Sequence, residues 1–182
     1  MARVPYLDVV DLSPENQDLL KRPIALARAL VNSPNAARAF SGIGQFIRYG
    51  SKLNPRLREL AILQVGWLAR SPYEWSHHVK IGHDFGVSDD DIRAMIDETA
   101  AKPTGLDVLT RTVLLAAREM TTDGAMTAAT FAALQTELGN EQVVDLTLTI
   151  GFYNAVVRVL ATLQIDVEDE YAPYLQQFPL PG

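Results

Sequence analysis

Apolar residues recur along this chain at the three- and four-residue spacing of amphipathic α-helices, whereas the alternating runs that indicate strands are weak. Three serine–proline pairs each place an N-cap hydroxyl before a proline in a first helical turn: Ser13-Pro14, Ser33-Pro34 and Ser71-Pro72. Ser88, which precedes three aspartates, marks another start. The pattern predicts an all-α fold with about eight or nine helices, near residues 14–20, 23–31, 34–49, 55–69, 72–85, 88–99, 105–120, 127–138 and 140–165.

Two of these helices, 55–69 and 140–165, are apolar on nearly all sides. A helix of that kind belongs in a core or an interface, so we expect copies of the chain to share a core as a homo-oligomer. The tail from Glu168 to Gly182 carries five large apolar side chains among prolines. It is too apolar for a free tail, and we expect it to dock on its own body or on a neighbour.

Composition removes several classes of function. The chain has 182 residues, a net charge of −6 and scattered basic residues, which argues against nucleic-acid binding. No apolar run approaches the roughly 18 residues of a membrane span, and no signal peptide is visible, so we expect a cytoplasmic protein. The sequence contains no cysteine, which excludes disulfides, thiolate metal sites and thiol mechanisms for this chain.

Glu59 is a carboxylate among apolar neighbours on the predicted helix 55–69. Burial raises the pKa of a carboxyl group, and this makes it usable as an acid or base near neutrality. The alternative is a structural salt bridge with a nearby arginine such as Arg56 or Arg70.

His78 shares an inward stripe of the predicted helix 72–85 with Glu74, one turn earlier, whereas His77 and His83 fall on the opposite, solvent side. Alone, His78 is more simply a core residue; Glu59 and Glu74 beside it favour a catalytic role. Glu74 has an alternative role as the third residue of a capping box begun by Ser71. The histidine spacing does not suit a helical metal site, and we expect no metal.

Asn154 and Arg158 align on the predicted helix 140–165 beside small residues. A polar row of this kind on an apolar helix suggests the wall of a pocket, in which Arg158 holds a substrate carboxylate. The alternative for Arg158 is an ion pair with a helix neighbour or a subunit partner.

Three sequence segments resemble the carboxymuconolactone decarboxylase family, which includes the alkyl hydroperoxidase D branch: Asn54 to Leu63, Tyr73 to His78 and Gly86 to Ser88. The resemblance is best over about residues 50–100, with Phe152 to Arg158 similar to the closing helix of longer members. It implies a helical bundle like alkyl hydroperoxidase D, spanning residues 1–182 as a single domain with extended terminal segments. It also implies assembly as a trimer or hexamer, although the sequence itself leaves a dimer open.

The resemblance places Glu59 and His78 on the Glu and His of the hydroperoxidase branch, but Ser71 and Glu74 stand at its two cysteine positions. Glu74 and His78 instead match the Glu and His of the decarboxylase branch. We therefore expect a cofactor-independent lyase or isomerase-like enzyme for a small carboxylate or lactone, with His78, Glu59 and Glu74 as acid/base residues and Asn154 and Arg158 as substrate-binding residues. The alternatives are a non-catalytic scaffold and a peroxidase, which the missing cysteines oppose.

Overall fold

The computed structural model describes residues 2–181, and all regular secondary structure within that range is helical. The eight α-helices are α1 (Ala25–Leu30), α2 (Pro34–Gln45), α3 (Pro55–Leu68), α4 (Pro72–Asp84), α5 (Asp89–Thr99), α6 (Val108–Thr122), α7 (Ala128–Leu163) and α8 (Ala172–Gln177). Shorter elements are the 3-10 segments Val9–Asp11, Pro14–Leu20 and Asp169–Tyr171 and the π-helical turn Phe46–Gly50. The predicted all-α fold is confirmed.

The predicted helices 127–138 and 140–165 are both present, and the non-helical backbone of Gly139 separates them within α7. Gly139 kinks α7 at φ 72° and ψ 172°, a backbone conformation that a side chain would disfavour. With the two halves counted separately the helices number nine, within the predicted range. The predicted helix 34–49 instead changes to a π-helical turn after Gln45.

The predicted hydroxyl caps are partly wrong. Ser13, Ser33 and Ser71 precede helices as expected, but none of their side chains caps a backbone N–H. The proline that follows each serine sets the start by fixing φ. Ser88 does form a capping box with Asp91, and Asn54 caps α3 by accepting from two backbone N–H groups.

Helix α3 forms the centre of the molecule, packed between α4, α6 and α7. Every residue from Leu57 to Gly66 is buried, including the polar Arg58, Glu59 and Gln64. A buried polar side chain needs a hydrogen-bond or ion-pair partner, so the charged residues of α3 have to contact specific neighbouring side chains.

By length and apolarity alone, α7 is the one helix in the described range that satisfies the criterion for a membrane span. This differs from the expectation that the chain has no such segment. However, 56% of its most apolar window is buried inside the molecule, as in the core helix of a soluble protein.

The C-terminal segment docks on its own chain, one of the two predicted outcomes. Tyr171 and Phe178 are each only 3% exposed. The indole Nε1 of Trp75, on α4, donates to the backbone oxygen of Phe178 at 2.7 Å. This buried bond fixes the end of the chain against the helix that carries His78.

Replacing Trp75 by Phe removes the only donor that the indole offers while keeping an aromatic ring. We expect a loss of about 1–3 kcal/mol in the free energy of unfolding, because the buried Phe178 oxygen is left without that donor. Trp67→Phe is the matched control, since Trp67 packs against Trp75 without such a bond. Equal losses in urea unfolding of both variants would contradict the assigned role of the bond.

An apolar stripe remains exposed on α7, where Val144 is 65% and Leu148 41% exposed. Gly151 and Ala155 continue the same face as small exposed residues. We propose that this face is a contact between copies of the chain, because its composition suits close helix packing.

Val144→Glu places a charge on that face. We expect the wild-type protein to scatter light as an oligomer at micromolar concentration and the variant to shift toward the chain mass of 20.0 kDa. Ala129→Glu, at an exposed position in the first turn of α7, is the control that keeps the oligomer. A wild-type monomer would contradict the proposal.

Candidate active site

The α3–α4 hairpin creates the candidate site by bringing two helices very close together. Its joint is short, and Arg70 turns the chain with a positive φ of 48°. Gly66 lies where the helices meet: a Cβ there would be 3.4 Å from the backbone nitrogen of Trp75 and 3.5 Å from Cγ of Glu74. These are ordinary van der Waals distances, so α3 and the first turn of α4, which carries Glu74, pack in close contact at Gly66.

His78 lies between two carboxylates. Its Nδ1 is 2.7 Å from Oε2 of Glu59, and its Nε2 is 3.0 Å from Oε1 of Glu74. The contact with Glu59 has good hydrogen-bond geometry, whereas Oε1 of Glu74 is poorly aligned with the ring and makes no proper hydrogen bond. All three residues are at most 5% exposed. The predicted proximity of Glu59 and His78 is thus observed.

Two carboxylates face one imidazolium, and Arg58 compensates the negative charge that remains. Its Nε and Nη2 both lie 3.0 Å from Oε1 of Glu59, and its side chain is 2% exposed. The alternative interpretation of Glu59, a salt bridge with a nearby arginine, is thus observed, but the partner is Arg58 and not Arg56 or Arg70. Arg56 instead pairs with Asp91 at the start of α5, and Arg70 lies exposed in the hairpin joint.

These charges oppose the effect of burial on the histidine. Burial by itself lowers the pKa of His78, but the charges of Glu74 and Glu59 and the hydrogen bond to Glu59 raise it to about 9. Burial also raises the pKa of Glu59, yet His78 and Arg58 outweigh it and leave that pKa below its ordinary value. At neutral pH the site therefore holds an imidazolium beside an ionised Glu59.

Glu74 does not form the capping box that its sequence position suggests. The Ser71 side chain accepts no hydrogen bond from the helix start, and the carboxylate of Glu74 points toward His78. The attraction of the buried imidazolium outweighs a local cap, because both charges are nearly removed from water.

A cavity of about 480 Å³ opens beside this group, and its wall includes His78, Glu74 and Tyr153 but not Glu59. The rings of Tyr153 and His78 meet edge to face at a centroid distance of 4.9 Å. The remaining wall is largely apolar, with basic residues near the opening. Glu59 therefore acts behind His78, while Glu74 and His78 meet any ligand. Within residues 2–181, no group of three or more acidic or histidine side chains is arranged to hold a metal ion.

His77 is buried, contrary to the prediction that it faces solvent. Its ring stacks between those of Tyr73 and Tyr171 at centroid distances of 4.0 and 3.6 Å, and its Nε2 is 2.8 Å from Oε2 of Glu168. Burial lowers the pKa of His77, an effect that Glu168 partly opposes. The C-terminal segment covers this face of α4, which a helical projection of α4 alone does not reveal. His83 is partly exposed and pairs with Asp89.

Asn154 and Arg158 do not reach this cavity. Asn154 donates to Oγ1 of Thr121 at 3.0 Å, and Arg158 donates to Oδ1 of Asn154 at 3.0 Å. Arg158 is exposed and borders a separate shallow depression with Thr162. Their helix turns Tyr153 and Val156 toward the cavity instead. The predicted use of Arg158 to hold a substrate carboxylate therefore has no support in this arrangement.

The sequence did not identify three residues that contribute to this site. Arg58 pairs with Glu59, and Arg48 and Tyr153 line the cavity. Arg58 follows the helix start and has charged neighbours, a pattern typical of an exposed position. Tyr153 is the residue before Asn154. The sequence therefore identified the correct helix, but it placed the face that lines the cavity one residue too far along the chain.

A sequence model of the carboxymuconolactone decarboxylase family matches residues 34–119, and the predicted resemblance is confirmed. No functionally curated protein matches the chain. Several solved structures share its fold. A peroxidase-related protein of Ralstonia eutropha with an alkylhydroperoxidase AhpD core has a TM-score of 0.78 and 16% identity, over 99% of this chain and 98% of that one. A peroxidase-related protein of Silicibacter sp. has a TM-score of 0.73 and 18% identity, over 94% and 97%.

The debrominase Bmp8, as a cysteine-to-alanine variant in complex with 2,3,4-tribromopyrrole, has a TM-score of 0.80 and 17% identity over 97% of each chain. At these identities the likeness establishes the fold, which is that of AhpD-like helical proteins. The sequence and structural matches together cover both helices of the candidate site.

The raised pKa of His78 has a measurable consequence. We expect NMR of the labelled imidazole to show His78 protonated at neutral pH and losing its proton near pH 9, and Glu59→Gln to lower that pKa. The ring signals of His83, which lies outside the cavity, are the internal control in the same spectra. A neutral His78 ring at pH 7 in the wild-type protein would contradict the described charge state.

The same shift makes stability depend on pH. Because the folded-state pKa lies above the ordinary 6.5, the contribution of His78 is complete below about pH 6.5 and is lost as pH rises through about 9. We expect a loss on the order of 3 kcal/mol in the free energy of unfolding across that window, absent in His78→Gln. Chemical unfolding at several pH values measures it, and equal slopes for both proteins would contradict it.

Proposed function

We propose that this chain, a cysteine-free member of the carboxymuconolactone decarboxylase family, is a cofactor-independent acid/base enzyme for a small carboxylate or lactone. The reaction is a decarboxylation or a related isomerisation, with His78 as the proton donor. One observation carries the proposal: a charge-compensated imidazolium lies between two carboxylates in the wall of a cavity large enough for a single-ring compound.

Decarboxylation breaks a carbon–carbon bond, releases carbon dioxide and leaves the electron pair on the substrate carbon. An imidazolium in the cavity wall supplies the proton that this carbon then takes. Glu59, hydrogen-bonded to Nδ1, keeps Nε2 turned to the cavity and stabilises the charged ring. Isomerisation uses the same groups, with a proton first removed from one carbon and then returned to another.

Glu74 has the second role in this scheme. Its Oε1 lies 3.0 Å from Nε2 without a well-aligned hydrogen bond, so the Nε2–H group stays available to a ligand. Because Glu74 borders the cavity and Glu59 does not, we assign Glu74 as the carboxylate that exchanges protons with a ligand or with water.

Two alternatives remain less well supported. A scaffold without chemistry has no use for buried charges, whose burial costs stability unless each one is paired. Thiol-dependent peroxide reduction needs a cysteine, and this sequence has none. The likeness to a debrominase that binds a substituted pyrrole agrees with a cavity for one ring, but it does not identify the reaction.

The proposal is tested with carboxymuconolactone, the compound in the family's description, in deuterium oxide. We expect NMR to show loss of the carboxyl group or exchange of carbon-bound hydrogen for deuterium. His78→Ala removes the proton donor and lowers the rate by about 10²-fold or more, whereas Glu74→Gln and Glu59→Gln lower it less. His83→Ala, outside the cavity, keeps the wild-type rate. Absence of both reactions, or an unchanged rate in His78→Ala, would overturn the proposal.

A further inference from the structure

Two kinds of polar side chain line the cavity. His78, Glu74 and Tyr153 are buried, each at most 8% exposed. Four basic residues of the same wall are exposed or partly exposed: Lys21, Arg22, Arg38 and Arg48. In a chain whose net charge is −6, this grouping of cations in one wall is a local exception.

Only some of these cations are paired. Arg38 contacts Asp18 at 2.9 Å, so its charge is compensated. Arg22 donates to the Tyr171 hydroxyl at 3.2 Å, which compensates no charge. The guanidinium of Arg48 makes no hydrogen bond or ion pair with any residue in the described range. It is also less exposed than Lys21 and Arg22.

The backbone around Arg48 is held firmly although its side chain is free. Arg48 lies in the π-helical turn, a type of distortion often found at functional sites. Its backbone oxygen accepts from Nη1 of Arg58 at 3.2 Å, while the same guanidinium binds Glu59. Arg58 therefore connects the position of Arg48 to the acid/base group.

Tyr153 is the second unpartnered group. It is 8% exposed, and its hydroxyl makes no hydrogen bond with the residues that the structure describes. Burial and the charges of Glu74 and Glu59 raise its pKa, against the charges of Arg48 and Arg58. The hydroxyl therefore keeps its proton and is available as a donor. Because Tyr153 lines the cavity, a ligand oxygen there is able to accept from this hydroxyl.

We infer that Arg48 and Tyr153 form an anion-binding subsite: the Arg48 guanidinium pairs with a carboxylate of the ligand, and the Tyr153 hydroxyl donates to an oxygen of that carboxylate. Resting on the proposed function, this sets the orientation of the substrate: its retained carboxylate faces Arg48 and its reacting carbon faces His78. The opposite orientation would place the reacting carbon away from the proton donor.

The apolar part of the cavity wall narrows the class of ligand further. Leu26, Phe40, Ile81, Phe152 and Val156 present hydrocarbon to the cavity. An apolar body with one retained carboxylate satisfies both the wall and the subsite, whereas a phosphorylated sugar would leave its hydroxyl groups without partners. The ligand class is a small ring-bearing carboxylate.

The test uses benzoate and benzamide as probes, because they share shape and differ in charge. Isothermal titration of the full chain at low salt is expected to show benzoate binding at least about tenfold more tightly than benzamide. Arg48→Met keeps an unbranched side chain but removes its charge, so it abolishes the difference between the probes. Arg111→Met, an exposed arginine on α6 outside the cavity, is the matched control and preserves the difference.

Tyr153→Phe is expected to weaken both probes about threefold or more, since each offers an oxygen to the hydroxyl. Equal binding of the two probes to the wild-type protein, no benzoate binding, or an unchanged preference in Arg48→Met would each overturn the inference. The variant His78→Gln distinguishes this inference from the proposed function, because it loses turnover while it keeps the preference for benzoate. A wild-type protein that is inactive but still prefers benzoate would contradict only the proposed function.

Discussion

The structure depends on how a charged histidine is kept in the protein interior. An unpaired imidazolium at the position of His78 would simply lose its proton, because burial disfavours the charged form. Glu59 and Glu74 reverse that preference from opposite sides of the ring, and Arg58 then balances the second carboxylate. Four ionisable groups thus form a compensated set, and removing any one of them leaves an uncompensated charge in the core.

This requirement accounts for the packing of α3 and α4. The two helices have to approach closely enough for Glu59 and Glu74 to reach the same ring. They are in close contact at Gly66, and the short joint with its positive φ at Arg70 keeps the helices antiparallel and adjacent. The burial of α3 on all sides provides hydrophobic stabilisation. It also places the charged residues of α3 where they contact His78 and its partners.

The sequence could predict the helix positions and the inward faces of Glu59 and His78, because helical periodicity and capping patterns are local. It could also predict that the tail docks, because the tail is too apolar to be free. The errors concern partners that are distant along the chain. His77 lies on the outer face of an isolated α4, yet Tyr171 and Glu168 cover it from the C-terminal segment. Arg58 has the sequence surroundings of a surface residue, but its long side chain extends to Glu59 and to the backbone of the π-helical turn.

The same division between local and distant contacts bears on substrate choice. The matched family segment, residues 34–119, contains the acid/base residues, but about half of the cavity wall comes from outside it. Residues 18–30 supply the basic and apolar wall on one side, and α7 supplies Tyr153 on another. Glu168 fixes the first of these segments by accepting from the backbone nitrogen of Ala25 at 2.7 Å while it also binds His77. A relative can therefore keep the proton-transfer residues and still bind a different ligand, because the wall that contacts the ligand is built by segments that the family match does not include.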